Sequence, residues 1–395
     1  MLHHLDTLPA DPILGLVAAC REDPNPNKVD LTVGIYMNDE GLCPVFDAIR
    51  KAQDALIQEE TTKAYMPADG DALFNSGIRR LVLGEDSVPL AEGRVSSLQT
   101  TGGCGALRIG AEVIRSANAG ATVWVSDPTW PIHMPLLGNV GLPFAHYRYY
   151  DAAGHRVDFD HMVMDLQRAE AGDVVLLHAC CHNPCGADLT LEQWGMIADM
   201  AERQGFVPFV DIAYQGMADD LQADAAGLRL LADRLPELII ASSCSKNMGL
   251  YRERTGAALF VCDSVQAAEA VQSQARTAAR RLYSMPPAHG AILAGRVLAE
   301  ADLRANWEAE LAGMCARING LRRQLRAELE RQCGGDFAFV ERERGMFSFL
   351  GLSEAQAQRL RQEYSVYMLD SSRINVAGVN ADNLEYVATA VASVV

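Results

Sequence analysis

The residues with the greatest chemical capacity lie in Ser243-Cys244-Ser245-Lys246-Asn247-Met248-Gly249-Leu250-Tyr251, which runs on through Arg252-Glu253 to Arg254. A short apolar, β-branched run, Leu238-Ile239-Ile240-Ala241, precedes it and reads as a buried strand, so Lys246 is expected just past a strand's C-terminal end. Open α/β sheets place their chemistry at that edge. A lysine flanked by two hydroxyls and followed by an arginine suits a Schiff-base amine beside a phosphate socket, because serine hydroxyls and a guanidinium fork both bind phosphate oxygens. The cofactor implied is pyridoxal phosphate. Taken alone, the same stretch also reads as a surface Ser-Lys loop.

That cofactor needs an acid to keep its pyridine nitrogen protonated, a phosphate anchor and a surface for its ring. Asp211 ends the strand-like run Phe206-Val207-Pro208-Phe209-Val210 and Tyr214 follows it. By itself the carboxylate could equally cap a helix or pair with a cation. Leu98 to Gly110 reads as a strand end, a glycine turn and a helix start, whose first amides can bind an anion. No Gly-Lys-Ser/Thr follows, so it is not a Walker loop, and a plain tight turn is the alternative. Trp130 comes just after the strand Ala121–Ser126, where an indole can stack on a flat heteroaromatic ring. Arg373 offers the bidentate fork an α-carboxylate requires.

Other candidates divide between function and packing. Tyr65, read by position, is a half-buried loop tyrosine, and Arg276, Arg280 and Arg281 read as a solvated helix face. Cys180-Cys181-His182-Asn183-Pro184-Cys185 gathers four soft ligands but lacks a matching second pair, so thiols lining a cofactor loop are expected and no metal.

The elements that must position these groups alternate. Asp173–Ala179 reads as a strand, Leu191–Arg203 as a helix and Phe206–Asp211 as a strand, which argues for a parallel sheet with right-handed crossovers. Val29–Tyr36 alternates like a strand, Val45–Glu60 has helical spacing, and Asp263–Tyr283 and Ala288–Cys333 are helical. Gly345–Leu350 and a short run near Arg373 read as strands of a smaller domain closed by a helix from Asn380. The expected division is an N-terminal arm and part of the small domain over 1–40, a large cofactor-binding domain over 41–305 and a small C-terminal domain over 306–395.

At 395 residues, 49% hydrophobic and 22% charged, the composition is that of an ordinary globular protein of more than one domain. A net charge of −17 and a pI near 4.9 repel nucleic acid and anionic lipid, so neither is an expected partner. Met1-Leu2-His3-His4-Leu5-Asp6 has no basic and apolar signal pattern, and no apolar run reaches about 18 residues, so the expected location is cytoplasmic. Ten scattered cysteines read as free thiols of a reducing compartment.

Taken together the motifs resemble the aspartate and aromatic aminotransferases of the class I, fold-type I pyridoxal phosphate enzymes. The resemblance runs from Asp11-Pro12-Ile13-Leu14-Gly15 to Arg373-Ile374-Asn375-Val376-Ala377-Gly378. It includes Thr61-Thr62-Lys63-Ala64-Tyr65, Gly105-Ala106-Leu107-Arg108, His178 to Pro184, Asp211-Ile212-Ala213-Tyr214-Gln215-Gly216, Ser245-Lys246-Asn247 and Tyr283-Ser284 with Pro286-Pro287. It implies an α/β fold with a mostly parallel seven-stranded sheet between helices and a smaller α/β domain.

It also implies roles. Lys246 holds the cofactor and moves the proton, Asp211 pairs with the pyridinium nitrogen, and Asn183 and Tyr214 contact the ring's phenolic oxygen. Trp130 stacks on the ring. Gly103, Cys104, Ser243, Ser245 and Arg254 surround the phosphate, with Tyr65 supplied from the second subunit of a homodimer. Arg373 binds the α-carboxylate near Gly34 and Trp130, and Arg280, again from the second subunit, receives a distal carboxylate. The implied reaction moves an amino group from phenylalanine, tyrosine or tryptophan, and also aspartate, to 2-oxoglutarate. Met285, Ile132, Cys104, Ile35, Met37, Cys43 and Ala64 depart from the aspartate type toward a more apolar pocket, which favours an aromatic donor over strict aspartate specificity. Ser372 replaces a glycine before Arg373. A lyase or decarboxylase on the same scaffold is the further alternative, and the pairing of Arg280 with Arg373 argues against it.

Overall fold

Seven strands form one sheet in a computed structural model that describes residues 2–8 and 11–395. Met1, Pro9 and Ala10 of the expected N-terminal arm lie outside the described residues. The strands are β1 (Val95–Thr101), β2 (Val123–Asp127), β3 (Phe144–Arg148), β4 (Val174–His178), β5 (Val207–Ile212), β6 (Leu238–Ser243) and β7 (Thr255–Val261), in the spatial order β1-β7-β6-β5-β4-β2-β3. The pairs β3–β2, β2–β4, β4–β5 and β5–β6 are parallel, as the alternation of strands and helices predicts. β7 is antiparallel to both its neighbours. The cause is the length of the link: parallel strands need a crossover of a dozen or more residues, whereas β6 returns into β7 through the short segment that carries Lys246.

Both faces of this sheet are covered, so β6 and β7 are buried at every position and read as continuous apolar or small residues. The core joins Leu98, Ile109, Val125, Leu176, Phe209 and Ala258. Helix Gly102–Ala117 lies close enough that a Cβ at Gly110 would sit 2.4 Å from Phe209 Cζ.

By contacts, residues 44–183 and 187–317 form the unit built on this sheet, and residues 1–43, 184–186 and 318–395 form a second. The boundaries read from sequence stand at 40/41 and 305/306; the contacts divide at 43/44 and 317/318, the latter inside helix Ala301–Cys333. In the second unit, Val29–Asp30 pairs in parallel with Val366–Tyr367, and Phe347–Phe349 pairs antiparallel with Arg373–Asn375. Its core contains Leu31, Leu325, Leu360, Ile374 and Val391.

The strand expected over Val29–Tyr36 is therefore only two residues long. Beyond it the carbonyls of Val33 and Ile35 accept from Asn375 Nδ2 at 2.6 and 2.7 Å, so a side chain takes the place of a partner strand. The closing helix begins at Leu384 and not at Asn380, because Asn380 Oδ1 accepts from the amides of Asp382 and Asn383 and holds a turn there.

Candidate active site

The site residues of the sheet unit collect at the C-terminal ends of the parallel strands. His178, Asp211 and Ala241 stand in register across β4, β5 and β6, so Asp211 leaves the sheet beside the strand that leads to Lys246. Lys246 Nζ lies 5.0 Å from the centre of the Tyr214 ring. Burial pushes this amine below its ordinary range, against the opposing pull of the Asp211 carboxylate.

Asp211 accepts from His133 Nε2 at 3.1 Å. Burial raises the carboxyl's pKa, but the His133 hydrogen bond and the surrounding charges, including Lys246, outweigh it and hold Asp211 below its usual value. A chain of contacts backs this pair: His133 Nδ1 meets Thr129 Oγ1 at 2.8 Å, Thr129 Oγ1 meets His178 Nε2 at 3.3 Å, and the His178 and His182 rings lie 4.0 Å apart. His133, Thr129 and His178 were not candidates in the sequence reading. Their grouping follows from the neighbour order of β2, β4 and β5, which no local spacing encodes.

An anion cradle lies near Lys246, whose amine also feels the charge of Arg254. Helix Gly102–Ala117 starts directly at the end of β1, with Gly102 at φ +70°, and its first amides carry the positive end of the helix dipole. A Cβ at Gly102 would sit 2.7 Å from Arg254 Nη2, and one at Gly103 would sit 3.1 Å from Ser243 Cβ. The backbone, the guanidinium and the serine thus converge at a spacing that only glycine permits. Arg254 Nη1 donates to Ser245 Oγ at 3.4 Å and to Tyr251 O at 3.0 Å. Helix amides, two buried hydroxyls and a guanidinium fit a phosphate group, and a carboxylate beside a desolvated amine fits the ring and carbonyl of pyridoxal phosphate. Burial pushes the Cys104 thiol up despite the nearby Arg254, so the thiol is protonated in this cradle.

Trp130 and Asn183 sit in the loops after β2 and β4; Trp130 is half-buried and its ring meets that of His133 edge-on at 5.3 Å, while Asn183 is buried. In the second unit Arg373 is buried, donates from Nη2 to Thr32 O at 2.6 Å and lies with its guanidinium 4.5 Å from the centre of the Phe347 ring. Gly34 is the close approach to that ring, since a Cβ there would lie 2.8 Å from Phe347 Cζ. Ser372, the departure next to Arg373, adopts φ +69° and accepts from Leu352 N–H through Oγ at 2.9 Å. Two candidates stay apart from the Lys246 cradle of their own chain: Tyr65 is 94% exposed, and Arg280 is exposed and donates to Ser284 Oγ.

Cys180 and Cys181 cluster with Asp224, their ligand atoms within 4.8 Å of one another. The Asp224 carboxylate there accepts from the amides of Gly216, Ala218 and Asp219, and burial pushes the Cys181 thiol well above its usual range. None of the ten cysteines forms a disulfide. No helix of the described residues is long and apolar enough to cross a membrane.

Comparison with known proteins accords with this geometry. A family model described as aminotransferase class I and II matches residues 26–391. The chain is 44% identical over 395 residues, the whole of both chains, to an aromatic-amino-acid aminotransferase of Paracoccus denitrificans. It is 43% identical over 395 residues, again the whole of both, to an aspartate aminotransferase of Escherichia coli strain K12. Among solved structures, an aromatic-amino-acid aminotransferase from Burkholderia pseudomallei, covalently bound to pyridoxal phosphate, is similar at 42% identity and a TM-score of 0.98, covering 100% of this chain and 99% of that one.

Proposed function

The chain belongs to the class I and II aminotransferases, pyridoxal phosphate enzymes of fold type I, and from that premise we propose that its donors are aromatic amino acids, with aspartate also accepted, and its acceptor 2-oxoglutarate. The observation that carries the reading is the desolvated Lys246 amine over the Tyr214 ring, within reach of the charges of Asp211 and Arg254. Pyridoxal phosphate, when bound, supplies the electron sink that makes an amino acid's α-proton removable.

The chain's own residues do the rest. Lys246 Nζ, kept neutral to lower pH by burial, is the base that takes the α-proton and returns it. Asp211, kept ionised by His133, presents its charge to the ring nitrogen. Asn183 and Tyr214 would contact the bound cofactor's phenolic oxygen, and Trp130 would stack on its ring. Gly103, Cys104, Ser243, Ser245 and Arg254 hold the phosphate. Arg373, beside Gly34, takes the α-carboxylate as a planar fork.

Tyr65 and Arg280, exposed on their own chain, serve the site of a second copy in a homodimer, Tyr65 at the phosphate and Arg280 at a distal carboxylate. Two carboxylate arginines suit a dicarboxylate co-substrate and disfavour a lyase or decarboxylase. Apolar side chains at Met285, Ile132, Ile35 and Met37 favour an aromatic donor, because a wall of fixed polar groups would reject a ring. Strict aspartate specificity is the second reading, which the near-equal identity to the Escherichia coli relative supports. A cytoplasmic location is part of the same proposal.

The test is covalent. Holoenzyme reduced with borohydride and digested is expected to carry the cofactor's mass on the peptide containing Lys246, and Lys246→Ala is expected to lose that label and about 10³-fold or more in turnover. A label on another lysine, or full turnover in the variant, contradicts the assignment.

A further inference from the structure

The segments that carry Tyr65 and Arg280 are fastened to each other within one chain. Gln99 of β1 is fully buried; its Oε1 accepts from Asp71 N–H at 2.9 Å, its Nε2 donates to Pro287 O at 2.7 Å, and its own N–H donates to Asp69 O at 2.9 Å. One side chain thereby joins the loop that follows Tyr65 to the turn that follows Arg280. Gly70, at φ +83°, permits this approach, since a Cβ there would lie 2.4 Å from Gln99 Cβ.

A second tie runs alongside. The Asp69 carboxylate accepts from Arg276 Nε at 2.9 Å and Nη2 at 2.7 Å, and from Gln272 Nε2 at 3.0 Å. Gln272 Oε1 in turn accepts from Ser97 N–H at 3.0 Å, which fixes this pair to β1. Arg276 stands one helical turn before Arg280 on helix Val265–Leu282. Directly after Tyr65, Met66 N–H reaches Met285 Sδ at 3.3 Å.

We propose that Gln99, Asp69 and Arg276 are positioning residues that hold Tyr65 and Arg280 in one geometry, so that the phosphate contact and the distal-carboxylate contact offered to the second copy are coupled. The proposal rests on the reading that both residues serve that second site. Its physical basis is that neither segment can slide without leaving the buried Gln99 amide unmatched or breaking a bidentate, charge-assisted pair. None of the three touches reacting atoms, and nothing local in the sequence links residue 69 to 276.

Asp69→Asn and Arg276→Gln, singly and together, test it in the dimeric holoenzyme, with the KM for 2-oxoglutarate, the KM for phenylalanine and the rate of cofactor release on dilution as readouts. Each single variant is expected to raise the 2-oxoglutarate KM and the release rate together by about fivefold, in keeping with about 1 kcal/mol for a well-formed surface pair. The phenylalanine KM is expected to stay within about twofold, and the double variant to be no worse than either single one, because the two residues act as a unit. A thermal midpoint that falls while both readouts hold, or a change in one readout without the other, overturns the coupling. Tyr65→Phe and Arg280→Gln separate the two levels: if these controls slow neither cofactor retention nor 2-oxoglutarate use, the reading of the shared site fails and the proposal with it. If they respond and the network variants do not, the network alone fails.

Discussion

Asp211 keeps its charge in a desolvated setting because His133 donates to it, and the histidines behind that pair stay uncharged for the opposite reason. Burial lowers His178 from an ordinary 6.5 to about 3 and His182 well below its ordinary value, and the neighbouring His133 ring further opposes the protonation of both. The folded pKa is depressed, so the unfolded chain binds more protons below pH 6.5, and the stability these residues contribute is present above 6.5 and lost as pH falls toward 3. His178→Gln is therefore expected to flatten the acid limb of stability by up to about 1.4 kcal/mol per pH unit, read from urea midpoints between pH 7 and 4.5. Parallel limbs for the two proteins would show that His178 takes no part. At this scale the sequence shows Lys246, Asp211 and Arg254 because each falls next to a strand end in a recognisable run. It hides His133 and Thr129, whose meaning depends on which strands lie side by side.

The element that organises the site is the link between β6 and β7. It reverses the chain instead of crossing over, and in doing so carries Ser243, Ser245, Lys246 and Arg254 past the start of helix Gly102–Ala117. Gly256 is the contact point: a Cβ there would meet the backbone of Gly102 at 2.6 Å and Ser242 O at 2.6 Å, neither of which can rotate away. Gly256→Ala is expected to cost about 1–3 kcal/mol, measured by urea denaturation, and to weaken pyridoxal phosphate retention because the cradle opens. Gly195→Ala, with nothing within 4 Å in helix Leu191–Gln204, is the matched control and is expected to be neutral or stabilising. Equal effects of the two substitutions would remove the cradle argument. The parallel part of the sheet was legible from alternation of strands and helices, whereas the reversal at β7 was not, because Thr255–Val261 carries no sign of strand direction. Val29–Tyr36 misled for a related reason: alternation reports a face, not a partner, and Asn375 takes the partner's place after Leu31.

For the whole molecule, the negative charge, the family and the two exposed candidates belong to one account. A chain with net charge −17 has little attraction for polyanions, in keeping with the small amino-acid and 2-oxo-acid substrates proposed for it. The roles proposed for Tyr65 and Arg280 require a second copy; read by position they are a loop tyrosine and a helix face, and only the family resemblance gives them those roles. Substrate choice is the least legible property, since residues such as Met285 and Ile132 change pocket polarity in steps worth only about 1–3 kcal/mol. Aromatic preference is measured most directly by kcat/KM for phenylalanine, tyrosine and aspartate, each with 2-oxoglutarate. Glutamate is expected from all three, with the aromatic donors equal to or above aspartate; a preference for aspartate of about 100-fold or more, equivalent to about 2.7 kcal/mol, would rule out an aromatic aminotransferase.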